Sequence, residues 1–328
     1  MNRRRFLVAS LAGALGRPLA AQAQQARKAY RVGVLDVVDM AANSDNLGAF
    51  RQGLSDLGYV EGRDVVIEYR SAEGLTERLP DLAGELVRLE ADVLVTRGTP
   101  AALAAKHATR TIPIVMASSG DPAAEGVVAS LARPGGNVTG LHLMAPSELG
   151  GRRLQLLKEI VPGLSRVGVL GDPANHYGPV LIRDTARVAA AMGIQLQRFD
   201  VPSPDDLERA FEAAALARLD GFITVEDSLM FGQRARIVDF AAMGRLPAMY
   251  GLREFVDAGG LASYGTDRRD LFRRAATYVH RIFRGASPAD LPIEGPTRFE
   301  LVVNRKTAKT LGLTIAPSLL ARADRVLD

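Results

Sequence analysis

Short β-branched apolar runs alternate with stretches of helical period, twice over, and this rhythm most narrows the folds open to the chain. Residues 30–35 (YRVGVL) open the first series, and Leu47, Phe50, Leu54 and Leu57 follow at helical spacing. Residues 64–69 (DVVIEY) alternate as a strand does, and Leu79, Leu82, Leu86 and Leu89 mark another amphipathic helix. Residues 91–96 (ADVLVT) and 112–117 (IPIVMA) read as strands around a helix over 100–108, and 138–143 as a further strand. The series then restarts: helices are expected over 147–160, 179–192, 204–216 and 231–243, and strands over 166–170, 194–201, 221–225 and 246–250. Strands without polar residues, separated by helices, form right-handed βαβ units around a parallel sheet covered on both faces. The pentamer Arg-Val-Gly-Val-Leu opens both halves, at 31–35 and 166–170, which points to a duplicated architecture. The expected fold is therefore α/β, with two doubly wound parallel-sheet lobes.

Turn chemistry divides the series. Pro134-Gly135-Gly136 precedes the strand at 138–143, Gly259-Gly260 precedes a strand over 261–264, and a Pro/Gly stretch covers 291–296. These breaks predict a hinge of about three crossings, near 141–147, 249–258 and 290–297. Lobe one would comprise 28–143 plus 256–290, including a long helix over 267–284, and lobe two 144–255 plus 291–328.

The first 23 residues are set apart. Arg3-Arg4-Arg5 lead a short apolar stretch over 6–15, interrupted by Gly13, Gly16 and Pro18 and followed by Ala21-Gln22-Ala23. This is the order of a cleaved signal peptide, with a twin-arginine-like start, and the apolar part is too short to span a bilayer. Export to the periplasm is expected. Four of the 41 basic residues lie in that leader, so the rest balances its 37 acids, and nothing supplies the excess positive charge that nucleic-acid binding needs. Cysteine is absent, which removes thiol catalysis and thiolate-bound zinc and leaves folding to the hydrophobic core.

In parallel sheets ligands bind beyond the carboxyl ends of strands, where helix N-termini offer free N–H groups. The loops at those ends nominate Thr99, Ser119 and Asp121 in the first half, and Asn175, Asp227, Tyr250 and Glu254 in the second. Hydroxyls of Thr99 and Ser119 would meet a carboxylate, Asp227 or Glu254 an ammonium, and Tyr250 the side chain of the solute. Each has a plainer reading: Thr99 and Asp121 precede proline as helix caps do, and Tyr250 and Phe255 suit a core. Competing chemistry is thin. His107, His142, His176 and His280 have no metal-ligand spacing, and neither a P-loop nor a nucleophile elbow occurs. Ser118-Ser119 with a distant histidine leaves a hydrolase-type enzyme as a remote alternative.

Several stretches carry a resemblance: 50–62 (FRQGLSDLGYVEG), 67–70 (IEYR), 98–102 (GTPAA), 133–140 (RPGGNVTG), 253–265 (REFVDAGGLASYG) and 317–324 (PSLLARAD). On these the chain resembles periplasmic substrate-binding proteins of ABC importers, of the type I fold, in the branch that includes tryptophan- and tyrosine-binding members. The resemblance implies a monomer that captures a small solute by lobe closure and delivers it to ABC permease subunits, with no cofactor and no nucleic-acid partner. An amino acid or related small carboxylate, aromatic ones included, is the expected ligand. The absence of Trp and a 5% aromatic content tilt against a stacked sugar. A ligand-sensing periplasmic protein that partners a membrane receptor is the alternative. Members usually carry Asn-Pro-x-Asn after the strand that opens the second lobe; here it is Asp172-Pro173-Ala174-Asn175, so no ligand role carries over to position 172.

Overall fold

The inner apolar runs become strands because their side chains are buried against helices on the two faces of the sheet. The computed structural model describes residues 29–143, 149–175 and 178–328. The expected leader lies outside the described residues, as do His176 and most of the crossing expected at 141–147. The first series forms β1 (Tyr30–Asp36), α1 (Ser44–Asp56), β2 (Val65–Ser71), α2 (Leu79–Arg88), β3 (Val93–Arg97), α3 (Thr99–Ala108), β4 (Ile114–Ser119) and β5 (Val138–His142). Its five strands lie in the order β2-β1-β3-β4-β5, all parallel.

The second series forms α4 (Leu149–Ile160), β6 (Arg166–Gly171), α5 (Gly178–Ala191), β7 (Gln195–Asp200), α6 (Leu207–Leu216) and β8 (Gly221–Thr224). It continues through α7 (Ser228–Gly232), α8 (Arg234–Met243), β9 (Ala248–Tyr250), α9 (Arg253–Asp257) and β10 (Ala262–Thr266). After α10 (Arg268–Phe283) come β11 (Phe299–Asn304), α11 (Arg305–Thr310), α12 (Pro317–Leu320) and β12 (Arg325–Leu327). The second sheet has seven strands in the order β12-β11-β10-β9-β8-β6-β7, parallel except where β10 meets β11. This is an α/β fold with two parallel-dominated sheets.

One expectation changes. The strand after Gly259-Gly260 does not return to the first lobe. β10 pairs with β9 (Ala262 opposite Met249) and with β11 (Tyr264 opposite Leu301), inside the second sheet. The reason is local. A Cβ on Gly260 would press into the Tyr250 ring and sit 2.7 Å from the Phe255 carbonyl oxygen. Only glycine lets the chain turn that tightly off α9, and a tight turn brings β10 straight back beside β9. The segment 249–258 is therefore not a crossing. The return lies between Thr266 and Asp267, and α10 crosses over together with the segment that follows it as far as residue 294.

That helix completes the first lobe. Leu271, Phe272, Ala275, Ala276 and Val279 of α10 share a buried cluster with Leu47, Phe50 and Leu54 of α1 and with Val93, Val95 and Val115. Each large apolar side chain so buried contributes about 1.5–3 kcal/mol. Asp267 caps the helix by accepting from Arg269 N at 3.0 Å and Asp270 N at 3.3 Å. Beyond α10, Leu291 and Ile293 still pack in the first lobe, and His142 N donates to Glu294 O at 3.0 Å, so the last crossing follows residue 294. No helix among the described residues is long and apolar enough to cross a membrane.

Candidate functional site

In each sheet the chain reverses its direction of strand addition, and the crevices at those points face each other. In the first sheet β1 is flanked by β2 and β3; in the second, β6 is flanked by β7 and β8. Side chains cannot fill such a crevice, which is where ligands bind in open α/β sheets. A cavity of about 540 Å³ lies here, lined by both lobes. Lobe one supplies the ends of β3 and β4, lobe two the segments after β6 and β8, and the return crossing adds Thr266 and Arg268.

Charge is unusually dense. Two arginines, Arg97 and Arg268, and five acids, Glu73, Glu125, Asp172, Glu226 and Asp227, line the cavity. Beneath them Asp36, at the end of β1, is fully engaged. It accepts from Val38 N at 3.0 Å, Asn43 Nδ2 at 2.6 Å and the Tyr69 hydroxyl at 2.7 Å, and pairs with Arg97 Nη1 at 3.2 Å. Burial and the Asp36 carboxylate together hold the Tyr69 hydroxyl well above its ordinary range. Arg153 of α4, 0% exposed, donates to Tyr264 O at 2.7 Å and grips Glu226 with both Nη groups, Nη1 to Oε2 at 2.6 Å. That fork fixes the Glu226 carboxylate at the cavity wall.

The residues nominated from the sequence divide. Thr99, Asn175 and Asp227 line the cavity. Thr99 does not cap its helix; Gly98 holds that position. The Thr99 hydroxyl instead accepts from Gly120 N at 3.0 Å and lies 3.1 Å from Ser119 Oγ and 3.3 Å from Glu125 Oε1. Ser119 is wholly buried behind it, away from the cavity lining. Asn175 Nδ2 donates to Glu226 O at 3.0 Å, which ties the loop after β6 to the loop after β8. Asp227 caps α7, its Oδ1 accepting from Met230 N at 2.6 Å, while its Oδ2 accepts from Asp172 N at 3.4 Å. Burial pushes its carboxyl up to about 6, against the pull of those two N–H groups.

Asp121, Tyr250 and Glu254 do not line the cavity. Asp121 Oδ1 accepts from Ala123 N at 3.2 Å and Ala124 N at 3.0 Å and holds the turn after β4. Glu254 lies between the lobes, 3.5 Å from Asn46 Nδ2 and 3.8 Å from Arg268 Nη1; beside it Arg253 pairs with Asp45 of α1. Tyr250 is a core residue, stacked on Phe255 at 4.7 Å and edge-on to Phe222 at 6.0 Å, and its hydroxyl has no partner among the described residues. A buried unpaired hydroxyl is a cost, so Tyr250→Phe is expected to raise stability by about 1 kcal/mol in denaturant unfolding and leave ligand affinity unchanged. A loss of affinity would return Tyr250 to the site.

Arg97 and Arg268 escaped the sequence reading. Arg97 had a signal: it is a charge at the end of the wholly buried run Val93–Arg97, in the central strand of the first sheet. Arg268 had none, because its place depends on where α10 re-enters. Burial, and then the charge of Arg97, pull the Arg268 guanidinium down to about 10. Among the described residues no group of His, Asp and Glu side chains could hold a metal ion.

Comparison with known proteins places these features in company. Residues 31–327 match the family model described as ABC transporter substrate binding protein. The tyrosine-binding protein of Clostridioides difficile (strain R20291) is 23% identical over 287 residues, covering 88% of this chain and 82% of that protein. A solved ABC domain from Streptococcus pneumonia, in complex with L-Trp, superposes with a TM-score of 0.82 at 26% identity, over 91% of this chain and all of that one (100%). A conserved domain protein from Vibrio cholerae also superposes with a TM-score of 0.82, at 30% identity and with the same coverage.

Proposed function

Because the chain belongs to the ABC transporter substrate-binding protein family, we propose that it captures an amino acid or related small carboxylate between its lobes and delivers it to permease subunits. The observation that carries this reading is the cavity of about 540 Å³ at the facing crevices, with acids and arginines lining it together. That volume suits a ligand of amino-acid size, and the mixed charge suits a zwitterion better than a neutral polyol. The names of the two relatives above, one tyrosine-binding and one solved with L-Trp, support the same class. Lobe closure would bury the solute, so ligand binding shifts an open–closed equilibrium and no bond in the solute is made or broken. The leader-like first 23 residues support a periplasmic location.

Mass spectrometry of solute released from the purified protein, followed by a thermal-shift screen, tests this. Amino acids or small carboxylates should be recovered and should raise the melting temperature. A screen in which only monosaccharides do so would end the amino-acid reading. Uptake that persists after gene deletion, with a signalling response lost, would favour the sensor.

The Asp227 carboxyl makes the pH dependence specific. It accepts from an ammonium only when ionised, and its pKa is raised to about 6. Amino-acid affinity should therefore be full above pH 7, fall as pH drops through about 6, and show proton release on binding near that pH. Calorimetric titration in buffers of different ionisation enthalpy measures both. Affinity that holds or rises toward pH 5 would remove Asp227 from the ammonium.

A further inference from the structure

Arg97 and Arg268 reach the cavity from different parts of the chain and converge on one aromatic ring. Arg97 ends β3 of lobe one, and Arg268 begins α10 at the return crossing. Their guanidinium carbons lie 4.2 Å and 5.0 Å from the ring centroid of Phe231, on α7 of lobe two. A third arginine, Arg234, lies 4.8 Å from the same centroid and is also tied to Phe231 O at 3.2 Å. The two cavity-lining arginines are only 2% and 6% exposed.

Their hydrogen bonding is incomplete. Asp36 takes Nη1 of Arg97, but among the described residues Nε and Nη2 have no partner; on Arg268, Nε and Nη1 have none there either. Glu254 stands 3.8 Å from Arg268 Nη1, beyond hydrogen-bond reach. Contact with an aromatic face stabilises a cation by about 0.5–2 kcal/mol, less than the several kcal/mol that burying an ion costs. Two buried like charges on a ring that also carries Arg234, with four donors unused among the described residues, thus lack a component. A planar anion fits best, because the unused Nε and Nη2 of Arg97 lie on one edge of the guanidinium as the parallel N–H pair that matches a carboxylate, and Arg268 adds Nε and Nη1 as separate donors.

We infer that Arg97, Arg268 and Phe231 form a carboxylate seat at the seam of the lobes, and that a solute carboxylate seated there holds the lobes closed. The inference rests on the solute-capture reading and makes it more definite. The acids around Asp227 then serve the cationic end of the solute, and the Thr99 hydroxyl, already shared with Ser119 and Gly120, serves the lobe rather than the ligand. A neutral solute of the same shape would leave those four donors unused on closure, so it would bind weakly.

The experiment is a cycle between ligand group and side chain. Amino acids, L-tryptophan and L-tyrosine among them, are titrated calorimetrically beside their primary amides and a set of polyols, against wild type, Arg268→Gln and Arg97→Lys. Arg97→Lys keeps a charge for Asp36 should loss of Arg97 harm folding. Small-angle scattering of the same samples reads lobe closure. The acids should bind at least tenfold more tightly than their amides and should compact the protein. Arg268→Gln and Arg97→Lys should weaken the acids at least tenfold and leave the amides within twofold. Acids and amides weakened alike, or acids unaffected, would overturn the seat. Polyols binding tightly would overturn it and leave solute capture standing. No binding by any compound, with no solute released from the purified protein, would bring down the capture reading, and the seat with it.

Discussion

Glu226→Ala is expected to destabilise the protein by about 3–5 kcal/mol, because it leaves a buried cation without its counter-ion. Arg153 is 0% exposed, and both its Nη groups end on Glu226; without that carboxylate only the bond from Nε to Tyr264 O, at 2.7 Å, remains. The reverse change is milder. The Glu226 side chain keeps 11% of its surface and lies on the cavity wall, so after Arg153→Met its charge can be hydrated from the cavity. A doubly apolar variant, Arg153→Met with Glu226→Met, should lie closer to wild type than Glu226→Ala does, since both desolvation costs go together. Urea unfolding midpoints of the three variants check the order. Equal losses for the two single changes would mean that both partners are equally accessible in solution.

Gly140→Ala should be as damaging, by about 3 kcal/mol or more, for a reason of backbone rather than charge. Gly140 sits on β5 opposite Met116 of β4, at φ 126°. A Cβ there would lie 2.5 Å from Met116 N and 2.9 Å from Met116 C, and closer still to the Met116 carbonyl oxygen. β4 is held by β3 on its other side, and β5, at the sheet edge, is tied by the bridge from Leu141 to Glu294, so neither strand is free to retreat. Gly136, in the preceding turn, has open space where its Cβ would be, so Gly136→Ala should fall within about 0.5 kcal/mol of wild type. A soluble Gly140→Ala protein with an unchanged melting temperature would refute the clash.

Much of the fold was legible because burial leaves a local trace. Val93–Arg97 and Ile114–Ser119 are buried at every position, and an apolar run framed by helices admits little else than an inner parallel strand. The cavity was legible to the extent that it follows strand ends: Thr99, Asn175 and Asp227 reach it from loops nominated by position. Their hydrogen bonds were not legible. Thr99 before proline looks like a cap, but Gly98 takes that place and the threonine hydroxyl turns to Gly120. Tyr250 looked like a candidate clamp, since an aromatic at a strand end carries no record of which side it packs on. Its neighbours Phe222 and Phe255 decided for the core.

What the amino-acid order settles here is what short-range forces settle: periodicity places the strands and helices, and glycine and proline place the turns. Pairing and convergence are long-range. The run around Ala262–Thr266 reads as a strand wherever it goes, and its place between β9 and β11 follows from the turn that Gly260 permits and from the partners waiting there. Arg97 and Arg268 are 171 positions apart in the chain and have no mutual pattern, yet α10 brings them to one ring. Whether a charge is solvated, paired or left waiting for a ligand depends on what packs around it, and for these two arginines that environment exists only once both lobes and the returning helix have come together.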